Sequence, residues 1–124
     1  VVDNAPVTEY LSQNTYSPRE LTSFTNSDGV KIDLYVVKPA NFNPSQKYPL
    51  LVNIYGGPGA QGVYNEFGRD GWEQYLAQQG YVIINVNNRG SGGYGYAFEK
   101  IVYEQLGKYE SKDFAEAAQF MVKQ

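Results

Sequence analysis

A glycine- and proline-rich turn after an apolar run holds the residue with the clearest chemical potential, Tyr55. The run covers residues 49–54, and the turn continues through Gly56, Gly57 and Pro58. Open α/β sheets place ligand chemistry in turns at the carboxyl ends of their strands. A phenol is neutral at pH 7 and can donate a hydrogen bond without carrying charge. Tyr55 is therefore a candidate donor to a developing negative oxygen, and a half-buried packing aromatic is the open alternative.

A second glycine-rich loop, residues 89–95, suggests phosphate binding or a serine nucleophile, and its details favour neither. Its glycines do not match the G-x-G-x-x-G fingerprint, and the lysine of a P-loop is absent. Ser91 does not sit in a G-x-S-x-G elbow, because Arg89 stands two residues before it. We expect instead a tight turn at Gly90 that packs closely on a neighbouring loop. Arg89 should pair with a carboxylate of that neighbouring turn, with a substrate carboxylate as the less favoured alternative.

The composition excludes several kinds of site. The 124 residues include no cysteine and no histidine, so the chain cannot supply a disulfide, a Cys–His metal site or the base of a Ser–His relay. We expect no metal and no cofactor. A net charge of −3 without a basic stripe argues against nucleic acid as a partner. The apolar runs are far shorter than the roughly 20 residues that a membrane helix needs.

The N-terminal third predicts a short helix followed by a β-hairpin. Asn4 and Pro6 are typical of a capped helix start. Residues 21–25 and 30–37 are predicted strands, joined by an Asn-Ser-Asp-Gly turn. Apolar residues alternate with polar ones along the second strand, which predicts one buried face and one solvated face.

The middle of the chain predicts a βαβ unit. Residues 50–55 and 81–86 are almost unbroken apolar runs, typical of buried parallel strands. Between them, Asp70 and Glu73 should form a reciprocal capping box at the start of a helix. The apolar face of that helix should consist of Trp72, Tyr75 and Leu76.

Two further helices are predicted after the second glycine-rich loop. The first should cover residues 96–106 and end at Gly107. The second has Glu110 and Asp113 in its first turn, where negative charge is favourable. Its apolar face should consist of Phe114, Ala117, Ala118, Met121 and Val122. The fold class is therefore α/β, with an antiparallel hairpin followed by a βαβ unit and helices.

Three segments together resemble the prolyl oligopeptidase family of serine peptidases, and its dipeptidyl peptidase IV branch in particular. Either of the first two alone would be a weak signal, but their combination is specific. The segments are YPLLVNIYGGP at 48–58, NNRGSG at 87–92, and Leu106-Gly107 with Glu110 and Asp113.

The resemblance implies that residues 1–124 are the first half of a C-terminal α/β-hydrolase domain whose central sheet is completed by later strands. It implies that the Tyr55 hydroxyl serves an oxyanion hole, beside a backbone N–H next to the nucleophilic serine. Arg89 and Gly90 would then be structural residues next to that site, as would Gly56, Gly57 and Pro58. The serine, aspartate and histidine of the triad would follow Gln124, so this chain alone should be inactive.

Two hypotheses therefore stand. In the first, a longer serine peptidase hydrolyses peptide substrates through an acyl-enzyme, and it is exported or periplasmic, as bacterial relatives often are. In the second, the chain is a non-catalytic interaction module or one half of a split hydrolase domain. An unpaired edge along strand 50–55 would then serve as a template for association, and we expect the isolated chain to self-associate.

Overall fold

A computed structural model describes residues 3–68 and 70–124, and there the chain forms a four-stranded sheet with helices on both faces. The strands are β1 (Arg19–Thr25), β2 (Lys31–Val37), β3 (Leu50–Asn53) and β4 (Val82–Val86). The helices are α1 (Ala5–Ser12), α2 (Gly71–Gln78), α3 (Tyr96–Lys100) and α4 (Lys108–Val122).

The sheet is mixed, with the strand order β1-β2-β4-β3. β1 and β2 form the predicted antiparallel hairpin. β3 and β4 are parallel, as a βαβ unit requires, and α2 connects them. β2 pairs with β4 in antiparallel fashion and so joins the hairpin to the βαβ unit. The hairpin and the βαβ unit are thus both confirmed, and the architecture is that of a partial α/β domain.

Two apolar cores lie on opposite faces of the sheet. Ile32, Leu34 and Val36 of β2 point towards α4, whose Phe114 and Ala117 complete that core. Tyr35 and Val37 of the same strand point to the other face, where Ala77 of α2 covers them. The prediction of a solvated face on β2 was therefore wrong over its second half. β2 lies between β1 and β4, and at that end both of its faces are covered by helices.

The inward face of α2 matches the prediction at Leu76, which packs against the core, and differs from it at Trp72 and Tyr75. Trp72 and Tyr75 are 53% and 59% exposed, whereas Glu73 is 1% exposed. Asp70 does cap the helix by accepting a hydrogen bond from the Trp72 N–H at 2.9 Å. The reciprocal half of the box is missing because the Glu73 carboxylate accepts from Arg19 and from the Tyr35 hydroxyl instead. A buried carboxylate is stabilised far more by an arginine than by one helix-end amide.

β3 is shorter and more exposed than predicted. It ends at Asn53, two residues before Tyr55, and its residues are half-buried. β4 borders it on one side, and it is the edge strand of the sheet formed by the described residues. Its apolar sequence alone could not distinguish an edge strand from a central one.

The C-terminal helices are confirmed with different limits. α3 has five residues instead of eleven, and turns follow it to residue 104. Gly107, with φ +88°, precedes α4, and its N–H donates to the Glu110 carboxylate at 3.0 Å. Val122 is exposed, and the neighbouring Phe120 stacks on Phe24 instead.

The predicted start of α1 is confirmed, but its cap comes from another residue. Asn4 makes no side-chain capping bond to the described helix, and Asp3 accepts from the Ala5 N–H at 2.9 Å. No helix of residues 3–68 and 70–124 combines the length and the apolar character needed to cross a bilayer.

Candidate active site

Two loops meet at the carboxyl ends of the parallel strands β3 and β4. We call residues 54–63 the Tyr55 loop and residues 87–95 the Arg89 loop. The Gly59 N–H donates to the Gly90 carbonyl at 2.8 Å, and the Gly92 N–H donates to the Ala60 carbonyl at 3.3 Å. A Cβ atom on Gly92 would lie 2.6 Å from the Gly59 carbonyl oxygen. The contact between the loops therefore requires glycine at residue 92.

Tyr55 projects from the rim of this junction. Its side chain is 74% exposed. The ring lies against Gly57, where a Cβ atom would come within 2.7 Å of the Tyr55 Cε1 atom. Gly56 turns the chain at φ +75°, a conformation that suits glycine. The exposed ring contradicts the alternative of a core aromatic, and it leaves the hydroxyl accessible to a ligand.

Asn87 connects the two loops from inside, although no sequence motif pointed to this role. Its side chain is fully buried. Its Oδ1 atom accepts from the N–H groups of Gly62 and Val63, both at 2.9 Å. Its Nδ2 atom donates to the Val63 carbonyl at 3.1 Å. An asparagine directly after an apolar strand was the available signal, because a buried amide must find hydrogen-bond partners.

Arg89 is enclosed by carboxylates. Its side chain is 3% exposed, and its guanidinium donates to Asp113 on α4 and to Asp28 in the hairpin turn. The Arg89 Nε and Nη2 atoms donate to the two carboxylate oxygens of Asp113 at 3.0 and 2.8 Å. The Nη1 atom donates to the Asp28 carboxylate at 2.8 Å. Burial would lower the pKa of Arg89, but the two carboxylates outweigh burial and raise it. Arg89 therefore stays charged and is fully engaged inside the protein.

Asp113 is the centre of this network, although the sequence suggested for it only a favourable place at a helix start. It accepts from the Asn26 side chain at 2.9 Å and from the Arg89 N–H at 2.8 Å, in addition to the guanidinium. Three separate segments thus meet on one carboxylate: the hairpin turn, the Arg89 loop and α4. Their sequence separation, 87 residues between Asn26 and Asp113, hid the contact from any local pattern.

The outer end of the network is exposed. Asp28 also accepts from Lys112 at 2.7 Å. Hydrogen bonds from Lys112 and from Arg89 hold the pKa of Asp28 below its usual value. Ser91, in contrast, is buried beside the arginine, which agrees with its rejection as a nucleophile.

A second buried charge cluster lies on the opposite face, under α2. Glu73 accepts from the Arg19 guanidinium at 3.0 and 3.1 Å and from the Tyr35 hydroxyl. Burial raises the pKa of Tyr35, and the hydrogen bond to Glu73 adds to that effect. Within the part of the chain that the structure describes, no group of acidic side chains is arranged to hold a metal ion.

Comparison with known proteins tests the resemblance to a family. Residues 68–124 match the model of the prolyl oligopeptidase family. The chain is 37% identical over 123 residues to the "Probable dipeptidyl-aminopeptidase B" of Ajellomyces capsulatus, a match that covers 91% of this chain. It is 39% identical over 89 residues to dipeptidyl aminopeptidase A of Saccharomyces cerevisiae, covering 72% of this chain. The resemblance is thereby confirmed. The chain is related to the prolyl oligopeptidase family.

A solved structure extends the match over the whole fold. The crystal structure of Porphyromonas gingivalis dipeptidyl peptidase 4 superposes with a TM-score of 0.86 and 38% identity, over 98% of this chain. The shares of the relatives are small: this chain spans 17% of that structure, 13% of the Ajellomyces protein and 10% of the yeast protein. Arg89 lies inside the stretch matched by the family model, and Tyr55 precedes it.

Proposed function

We propose that the chain is the first half of the α/β-hydrolase domain of a dipeptidyl-peptidase-type serine peptidase, and that Tyr55 is its oxyanion donor. The observation that carries the proposal is the placement of Tyr55. Its ring is 74% exposed at the carboxyl end of β3, on a loop bonded to the Arg89 loop. Ligands of open α/β sheets bind at this end of the strands.

The proposed chemistry is acyl transfer to a serine. The serine oxygen attacks the peptide carbonyl carbon, and the π electrons move onto the carbonyl oxygen, which becomes negative. The Tyr55 hydroxyl donates a hydrogen bond to that oxygen and keeps its proton. The serine proton passes to the histidine base and from there to the amine, which the tetrahedral species expels to leave an acyl-enzyme. Water then attacks the acyl carbon and releases the acyl group as a carboxylic acid, and its other hydrogen restores the serine hydroxyl. A fixed donor aimed at the oxyanion stabilises this state more than it stabilises the substrate.

The remaining catalytic groups would come from elsewhere in the longer protein. Residues 1–124 contain no histidine that could act as the base, and Ser91 is buried. We therefore propose that the nucleophile, the aspartate and the histidine belong to the half of the domain that this chain does not include. On its own the chain should show no peptidase turnover. The substrates of the longer protein would be peptides, with the specificity determined outside these residues.

Replacement of Tyr55 in the full-length protein tests the proposal. Tyr55→Phe removes one hydroxyl and should lower kcat by about 100- to 1,000-fold, the usual loss for one oxyanion donor. Tyr10→Phe is the matched control, because Tyr10 is another exposed tyrosine, on α1. The control should keep its kcat. A Tyr55→Phe enzyme with unchanged kcat would rule out the assignment.

The edge position of β3 supports a second candidate, association through the sheet. β4 occupies one side of β3, and the strand is otherwise the border of the described sheet. An edge of this kind presents backbone groups that can pair with another strand. The isolated 124-residue chain should therefore sediment as a concentration-dependent mixture that contains dimers or larger species. A single monomeric species up to high concentration would argue against this candidate.

A further inference from the structure

Asn87 closes the Tyr55 loop at its far end. The loop leaves β3 after Asn53, which is paired with Asn85 of β4. Nine and ten residues later, Gly62 and Val63 return to the end of β4 and bind the side chain of Asn87, directly after that strand, through three hydrogen bonds of 2.9 to 3.1 Å. The two ends of the loop are thus held two residues apart, at Asn85 of β4 and at Asn87 directly after that strand.

The Asn87 side chain is itself held by a second contact. Its Nδ2 atom donates to the Tyr94 hydroxyl at 2.8 Å, and that hydroxyl donates to the Asp33 carboxylate of β2 at 2.9 Å. The Tyr94 ring stacks on Phe98, with 4.7 Å between the ring centroids. This chain of bonds fixes the direction in which the Asn87 amide points. The loop end therefore rests on a rigid group that spans three segments of the fold.

The alternative role for Asn87 is stability alone. A buried amide with four hydrogen bonds stabilises the fold wherever it lies, since each lost partner leaves a buried polar group unsatisfied. What favours a more specific role is the identity of its partners. Three of its four bonds go to the backbone of the loop that carries Tyr55, and none of these three goes to a helix or a strand.

We infer that Asn87 is a positioning residue for Tyr55. The Asn87 amide fixes the far end of the Tyr55 loop and so holds the Tyr55 hydroxyl where an oxyanion forms. This inference rests on the proposed function of Tyr55. Without the amide, the loop stays attached at Asn53 and at the contact between Gly59 and Gly90, but its last part is free to shift. Displacement of a catalytic group by about 1 Å can cost on the order of 100-fold in rate.

The test is a double-mutant cycle in the full-length protein, with kcat and KM measured for Asn87→Leu, Tyr55→Phe and both together. Leucine has nearly the shape of asparagine but cannot hold the loop. Asn87→Leu should lower kcat by up to about 100-fold and change KM much less. In the Tyr55→Phe background it should cost less than about threefold, because the donor it positions is already gone.

Two further variants complete the experiment. Gln74→Leu is the matched control, since the Gln74 amide also bridges two segments by bonding both backbone groups of Ser17 under α2, away from the loop. It should leave kcat unchanged in both backgrounds. If Asn87→Leu does not fold, Tyr94→Phe replaces it, because it removes only the hydroxyl that orients Asn87. That variant should lower kcat about tenfold, with the loss again confined to the enzyme that retains Tyr55.

Equal losses of kcat with and without the Tyr55 hydroxyl would overturn the positioning role and leave the oxyanion assignment intact. An unchanged kcat in Asn87→Leu or, in its place, Tyr94→Phe would do the same. If Tyr55→Phe itself keeps full kcat, the proposed function and this inference are both overturned.

Discussion

The two loops that leave the parallel strands differ in what they expose. In the Arg89 loop, residues 87–91 are all buried, and the side chains of Asn87, Asn88 and Arg89 are hydrogen-bonded inside the protein. In the Tyr55 loop, Ile54, Tyr55, Pro58 and Gly59 are exposed. Both loops follow the carboxyl ends of parallel strands in the same sheet, so this location alone does not explain the difference in exposure. One loop is a scaffold, and the other presents a side chain.

The positions of the two strands in the sheet explain the difference. β4 lies between β2 and β3, so the chain that leaves it enters the space between the hairpin turn and α4. That space already holds Asp113, and an arginine is the partner that satisfies a buried carboxylate best. In the sheet formed by the described residues β3 lies at the edge, so here its exit loop has the other loop on one side only. The scaffold and the presented group thus follow from strand order.

Loss of Asp113 should give the largest effect on stability. Asp113→Ala leaves the Arg89 guanidinium buried without its main partner, and breaking a buried pair in this way typically costs about 3–5 kcal/mol. The change in free energy of unfolding can be measured by urea denaturation.

The matched control for Asp113 is the exposed ion pair between Lys38 and Glu20, at 2.6 Å. Glu20→Gln should cost between about 0 and 1 kcal/mol, because exposed pairs are screened by solvent. Similar losses for the two variants would contradict the view that the Arg89 loop is the scaffold.

A methyl group on Gly92 should have the next largest effect. Gly92→Ala would drive a Cβ atom against the Gly59 carbonyl and push the loops apart, a strain of about 1–3 kcal/mol. Gly71→Ala is the control, because a Cβ atom there meets nothing within 4 Å at the start of α2. The control should be neutral or stabilising by up to about 1 kcal/mol. Thermal unfolding of both variants checks this, and equal Tm values would refute the close contact.

The sequence predicted the helices and strands better than the side-chain contacts between them. Hydrophobic periodicity and turn residues located the hairpin and the βαβ unit, because these two signals depend on neighbouring residues alone. The reciprocal capping of Asp70 by Glu73 failed, since Arg19, 54 residues away, competes for the carboxylate. Trp72 and Tyr75 were assigned to the core because they are large and apolar, yet the buried face of α2 belongs to Glu73 and Ala77. Polar networks are set by tertiary contacts that no window of the sequence contains.

The candidate site divides in the same way. The turn chemistry around Tyr55 and the resemblance to a family together predicted which side chain would stand at the carboxyl end of β3. The sequence did not predict that Asn87 would hold the loop, because its partners lie 24 and 25 residues away. Asp113 was recognised as a helix-start residue and as part of the family resemblance, but its hydrogen-bond partners were not predicted, for the same reason.

The smallest predicted effect concerns acid stability at the exposed end of the Arg89 network. The pKa of Asp28 is lowered in the folded chain by Lys112 and Arg89. A carboxylate with a depressed folded pKa stabilises the fold above its unfolded pKa of about 4, and that contribution is lost as the pH falls through the folded value. Asp28→Asn should therefore lower Tm slightly at pH 7 and reduce its decline below about pH 4. An acid limb as steep as that of the parent chain would contradict this prediction.

The most direct test of the central claim is the affinity of the full-length protein for a peptide aldehyde, which forms a tetrahedral adduct with a nucleophilic serine. Tyr55→Phe should weaken binding of the aldehyde by about 100-fold, while the affinity for the corresponding product peptide stays the same, because the hydroxyl serves the tetrahedral oxygen alone. Equal affinities of the parent and variant proteins for the aldehyde would contradict the claim that Tyr55 stabilises an oxyanion.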